Sequence, residues 1–125
     1  YSAHNLSHYT GEVRTKDSIL RDQTHAKLIA GLMDKLKDAK EADGTCLLDH
    51  VALTFGSNLR TKHSLTNCPT PIAGGGAGFK QGRHLVMKDE ETPLCNLWLS
   101  TLRGAGVNVD SFGDSSGVID ELFEA

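Results

Sequence analysis

Residues 47–79 read LLDHVALTFGSNLRTKHSLTNCPTPIAGGGAGF, and the fold turns on how this stretch is read. It holds an apolar run, a Gly-Ser-Asn corner, an isolated histidine, a second short apolar run and a glycine cluster. Residues 51–55 (VALTF) carry no charge, which fits a strand buried on both faces of a sheet in an α/β protein. In such sheets, functional side chains lie just beyond the carboxyl ends of the strands. The places to look are therefore Gly56-Ser57-Asn58, His63 and the glycines 74–76.

Working outward, residues 71–73 read as a second short strand, with Pro69 and Pro71 suiting a strand start or an edge. The run GGGAG at 74–78 lacks the Lys-Ser/Thr of a P-loop and does not open directly into a helix. It reads instead as a tight turn where backbone passes close to backbone. Residues 82–88 and 107–109 are further short strand candidates.

Upstream, Ile19, Ala26, Ile29, Met33 and Leu36 recur at helical spacing, with Leu28 and Leu32 widening the stripe. This predicts a helix over 18–42, capped by Asp17 or Ser18 and ended at Asp43-Gly44. His25 falls in step with the apolar side and reads as a packed core histidine, and His50 as structural. Thr92-Pro93 predicts a second helix with proline at its first position. Its inner face is Leu94, Leu97, Trp98, Thr101 and Leu102, and Gly104-Ala105-Gly106 stops it. Residues 111–117 read as a loop, and 118–123 as one turn packing Ile119, Leu122 and Phe123.

A chain of 125 residues with 38% hydrophobic content is enough for one core, so a single domain over 1–125 is expected. The net charge of −3, without a basic block or aromatic-basic interleaving, argues against a nucleic-acid partner. No apolar run is long enough for a membrane span, and no secretory leader pattern is visible. Cys46, Cys68 and Cys95 lack C-x-x-C spacing and read as small buried hydrophobes; a disulfide would leave one of them over, and the sequence does not choose the pair.

Near the start, HNLSH places His4 and His8 four apart. One helical turn would put both imidazoles on the same face, where two histidines can share a metal. Two solvent-facing histidines near a terminus are the plainer alternative.

The order of these pieces resembles a known family. The runs GTCLLDH, FGSN, HSLTNCPTPIAGGG, GRHL, NLWLSTLRGAGV and SFGDSSG, with HNLSH before them, carry the resemblance. They look like the carboxyl-terminal part of the typically exported bacterial family catalogued as domain of unknown function 1552. The resemblance covers nearly the whole chain and implies a carboxyl-terminal fragment of a longer protein. That family is similar in layout to the alkaline phosphatase and sulfatase superfamily. There, an Asp-x-x-x-His pair precedes a long helix, a core strand ends in Asp-His, and a lone His precedes a glycine-rich turn.

By that resemblance, His4 and His8 fall on the first pair and His63 on the lone histidine. Together they would form a site for zinc or another divalent metal. Ser57-Asn58 stands where Asp-His is expected; neutral side chains are poor ligands for a second cation, so this pair reads as the remnant of a second site. The fold implied is α/β, a short mixed or parallel sheet flanked by helices, like the carboxyl-terminal portion of an alkaline phosphatase-like enzyme. The implied activity is metal-dependent hydrolysis of a phosphate or sulfate ester once the missing amino-terminal portion is supplied. No residue here is assigned as nucleophile, so the chain alone is expected to be inactive, and its implied location is secreted or periplasmic. The competing reading is a non-catalytic extracellular binding or structural module that self-associates through exposed strand edges.

Overall fold

The computed structural model describes residues 2–57, 59–87, 89 and 91–123. By spatial clustering the chain divides into two compact units. Unit 1 comprises Tyr1–Lys35 and Phe55–Pro71; unit 2 comprises Leu36–Thr54 and Ile72–Ala125. The elements in order are α1 (Ala3–Ser7), α2 (Glu12–Asp38), the single turn α3 (Leu47–His50), β1 (Leu53–Thr54), β2 (Ile72–Ala73) and α4 (Leu94–Gly104). Two 3-10 turns, Thr61–His63 and Asp120–Leu122, complete the set among the described residues. The class is mixed α and β, as expected.

The sheet is not the mixed or parallel one expected. It has two strands, paired antiparallel with Leu53 opposite Ala73 and Thr54 opposite Ile72. Its residues are only half-buried, so the expected strand with two covered faces is also corrected. The reason lies in the glycine turn. Val51 directs its carbonyl to the turn, accepting from Gly76 N at 2.9 Å. Residues 47–50 coil into α3 instead, which shortens the strand to two residues.

That glycine turn is the organising contact of unit 2, as a turn of close backbone approach should be. Gly75 N donates to Leu48 O at 2.9 Å, so the turn supplies donors for the end of α3. A β-carbon on Gly74 would collide with the Val51 carbonyl, one on Gly75 with that of Asp49, and one on Gly76 with that of His50. From the other side, α4 ends at Gly104, where a β-carbon would strike the Ala77 carbonyl. Ala77 is accordingly 1% exposed. Around it pack Phe79, Leu97 and Leu122, joined by Ile72, Leu94, Trp98, Ile119 and Phe123. Phe79 and Phe123 meet edge to face, with ring centroids 5.1 Å apart. The carboxyl-terminal turn thus packs the three apolar residues expected of it.

The start of α3 is held by a carboxylate. Asp49 Oδ2 accepts from Cys46 N at 2.9 Å and from Cys46 Sγ at 3.1 Å. These bonds, the backbone one foremost, hold the Asp49 carboxyl below its usual pKa. A depressed carboxyl stabilises the fold above its unfolded pKa, near 4, and that contribution disappears as pH falls through the folded value. The acid limb of unit 2 denaturation should therefore flatten in Asp49→Asn; an unchanged limb would show that the bonds contribute nothing.

Helix α4 buries two polar side chains beside its leucines. Ser100, fully buried, donates to Asn96 O at 2.7 Å and accepts from Ile119 N at 2.8 Å. Asn96 accepts from Ser116 N at 2.8 Å and donates to Ser116 Oγ at 3.1 Å. These bonds fasten 116–119 along the helix. Ser100→Ala leaves the Ile119 N–H without its acceptor and should cost about 1–3 kcal/mol. Thr101→Ala removes only a bond to Leu97 O within the helix, so its loss in urea denaturation should be smaller.

Five other expectations are corrected. Helix α2 begins at Glu12 and ends at Asp38, not 18 and 42. Nothing in 12–17 breaks a helix, Glu12 and Lys16 pair at 2.8 Å, and Ser18 is not a cap but lies inside the helix with no exposure. The apolar stripe of α2 is largely uncovered, with Ile19 48%, Leu28 66% and Leu32 41% exposed. His25 is likewise exposed rather than packed in a core. Finally, 82–87 and 107–109 form no strand among the described residues. Val107 N turns back to Leu102 O at 2.9 Å and the Arg103 guanidinium takes Val109 O at 2.8 Å, so that segment closes the end of α4. Pro93 stands one position before α4 rather than at its first residue.

Candidate metal centre

Unit 1 brings His4, His8 and His63 together. Ring centroids lie 4.9 Å apart for His4–His8, 5.2 Å for His4–His63 and 5.0 Å for His8–His63. One ring nitrogen from each falls within 4.8 Å of the others. Two of the three come from one helical turn and the third from a loop over fifty residues later in the chain.

The first pair is positioned by α1. A five-residue helix is not stable by itself, and this one is tied to α2 by polar contacts. Ser2 Oγ caps it, accepting from Asn5 N at 3.3 Å. Ser18 Oγ lies 2.5 Å from Leu6 O and 2.6 Å from Arg14 O, sharing its proton between them. Arg21 Nη1 donates to Ala3 O at 3.2 Å, and the Tyr9 hydroxyl donates to the Asp22 carboxylate. The same Asp22 carboxylate accepts from Arg21 Nη2 at 2.7 Å. With its turn so anchored, the His4 and His8 rings lie side by side, tilted 57° to one another. Ser18, Arg21, Asp22 and Tyr9 were not legible as site residues, because a serine inside an apolar stripe shows no partner until the second helix is in place.

His63 is delivered by a tight turn. Lys62 and His63 both adopt the left-handed region, with φ of 55° and 65°. Each such residue costs on the order of 1–2 kcal/mol when it is not glycine. The turn is closed by Arg60 N to Ser64 O at 2.7 Å and Ser64 N to Thr61 O at 3.3 Å.

His8 is the least exposed of the three, and its Nε2 is buried with no hydrogen-bond partner among the described residues. Its pKa is pushed below the ordinary value, chiefly by loss of hydration and then by His4, His63, Lys62 and Arg14. Its imidazole is therefore neutral at pH 7, with a lone pair available for a Lewis acid. An unpartnered buried nitrogen beside two more imidazoles is what a metal-ligand set requires. Zinc–nitrogen bonds of about 2.0–2.1 Å at the tetrahedral angle place donor nitrogens about 3.3 Å apart. The nitrogens here lie within 4.8 Å of one another, and the His4 and His63 side chains, which would have to turn toward an ion, are both exposed. The residues present fit a divalent transition metal.

Ser57 lies in unit 1 with its Oγ accepting from Leu59 N at 3.1 Å, an ordinary local turn bond. Asn58, its partner as a possible second-site remnant, lies outside the described residues. The three cysteines are free, and none joins the histidine group. His50 Nε2 meets Thr45 Oγ1 at 2.6 Å, in keeping with a structural role. Gly75 and Gly76 spend their N–H groups on the Leu48 and Val51 carbonyls, and all three glycines lie against the backbone of 48–51, as a structural turn does.

Family models, curated proteins and solved structures were all compared with this chain. None matches. No helix among the described residues is long and apolar enough to cross a membrane.

Proposed function

We propose that unit 1 binds one divalent metal, zinc before others, through His4, His8 and His63. The observation that carries this reading is the meeting of three imidazoles, one ring nitrogen of each within 4.8 Å of the others, on a His8 whose Nε2 is buried and has no partner among the described residues. Neutral nitrogen donors favour zinc over calcium or magnesium, which require oxygen. A second argument comes from packing. Among the described residues of unit 1, none but Ser18 is buried, so the unit has no apolar core to hold the His63 loop against α1. Small bodies of that kind are commonly held by a metal or a disulfide.

The resemblance extends the proposal to an exported alkaline phosphatase- or sulfatase-like hydrolase, of which this chain is the metal-holding carboxyl-terminal portion. A metal bound there supplies Lewis acidity toward a phosphate or sulfate ester. The three histidines hold and orient it, and the exposed His4 and His63 leave one side open to solvent. No residue of this chain takes the role of nucleophile, so the purified chain should not hydrolyse such esters. The test is metal analysis and zinc calorimetry on the purified chain. About one equivalent per chain supports the reading, and no binding overturns it.

A second reading is favoured by a different observation. Val13, Leu20, Leu28 and Leu65 are 62%, 62%, 66% and 74% exposed, all in unit 1. A non-catalytic module that self-associates would cover them, and mass rising with concentration in solution would favour it.

A further inference from the structure

Resting on the self-association reading above, we propose that a second copy of this chain, laid antiparallel along α2, covers the exposed Val13, Leu20 and Leu28. Val13, Leu20 and Gly31 follow one line of the helix, and nothing lies within 4 Å of a β-carbon on Gly31. Asp17, Thr24, Leu28 and Lys35 flank that line on one side, and Lys16, Lys27 and Asp34 on the other. An open groove of about 300 Å³ lies on the first side, lined by Asp17, Leu20 and Thr24 with Leu6 of α1.

Charge and shape both fit this face to its own image. Asp17 and Lys35 stand about five turns apart on one flank, and Lys16 and Asp34 about five turns apart on the other, each pair opposite in sign. Among the described residues, Asp17, Asp34 and Lys35 make no ion pair. A two-fold axis crossing α2 between His25 and Ala26 brings the same flanks of two copies together with the direction reversed. Asp17 then meets Lys35 of the second copy and Lys16 meets Asp34, each twice. Flanking charges of this kind set partner choice and orientation in paired helices. The same axis sets Leu20 over Gly31 of the second copy, where the missing side chain leaves room. It also brings Leu28 of the second copy to the level of Thr24, at the groove. A parallel copy satisfies the charges as well, with Asp17 beside Lys16, but it holds Leu28 away from the groove and sets Lys27 beside its own image. The groove therefore selects the antiparallel arrangement.

The test uses the whole chain and two charge-exchanged variants whose composition and net charge are unaltered. One carries Lys16→Asp with Asp17→Lys, the other Asp34→Lys with Lys35→Asp; all four positions are exposed. Sedimentation equilibrium over a range of concentrations gives the dimer dissociation constant of each. The unsubstituted chain should approach twice its chain mass of 13.5 kDa. Either variant alone sets like charges together on both flanks and should dimerise about tenfold or more weakly. An equal mixture of the two restores every pair and should recover the affinity of the unsubstituted chain, a rescue that damaged folding would not give. An unsubstituted chain that stays monomeric at every concentration overturns both this interface and the self-association reading. Variants that dimerise alone as tightly as the unsubstituted chain overturn the antiparallel interface and leave self-association standing. A mixture no tighter than its components does the same.

Discussion

Gly74→Ala is expected to destabilise unit 2 by about 3 kcal/mol or more. Two costs coincide at this position. Its φ is +92°, where an L side chain is strained, and the new β-carbon would meet the Val51 carbonyl, with the Leu48 carbonyl at 2.9 Å. Both obstacles are backbone oxygens at the end of α3, and neither can swing away like a flexible side chain. Relief requires pulling the turn off α3, which breaks the bonds from Gly75 N to Leu48 O and Gly76 N to Val51 O. Gly78→Ala separates the two terms. Its φ is +69° but nothing lies within 4 Å of a β-carbon there, so only the backbone term remains, about 1–2 kcal/mol. Urea denaturation of the two variants should differ by about a factor of five or more in equilibrium constant. Equal losses would mean that close approach to α3 does not hold this unit together.

His63→Ala is expected to reduce metal affinity about 100-fold or more, beyond the loss typical of removing an outer-shell partner. Two imidazoles on one helical turn remain, but a lone pair of ligands leaves a divalent ion mostly hydrated. Fold should change little, because His63 is exposed and sits in a polar loop. In the unsubstituted chain, metal at a hundredfold excess over its Kd should add about 2.7 kcal/mol to the folded state. Hydrogen exchange should then slow in α1 and in the Thr61–His63 turn. His84→Ala, at an exposed histidine in unit 2, is the control and should leave metal content unaltered. Unchanged stoichiometry and affinity in His63→Ala would mean that the three rings are not a ligand set.

The tight glycine turn was legible because three consecutive glycines have few other physical uses, and the missing Lys-Ser/Thr excluded a phosphate cradle. Helix α4 was legible from its leucine spacing and the Pro93 and Gly104 signals at its ends. The buried Asn96 and Ser100 were not, since a polar residue inside a helix reveals its burial only when its acceptor and donor arrive from 116–119. The strand expected at 51–55 shrank to Leu53–Thr54 for a related reason. An apolar run of that length is the same whether its carbonyls face a strand or a glycine turn, and here Gly76 takes the Val51 carbonyl first. Exposure of the α2 stripe was equally hidden, because periodicity marks a face as apolar without saying what covers it.

For the candidate site, sequence alone determined the identity of the donors. The four-residue spacing of His4 and His8 fixes two rings on one face of any helical turn, and their neutral nitrogens limit the metals they suit. Whether the third ring joins them is a matter of chain path through more than fifty intervening residues, which no local pattern encodes. Tertiary structure decided that, through Ser18 and Arg21 anchoring α1 and the left-handed turn at Lys62 and His63 aiming the loop. It also decided the charge around the donors, because electrostatic neighbours are set by distance in space and not by distance along the chain.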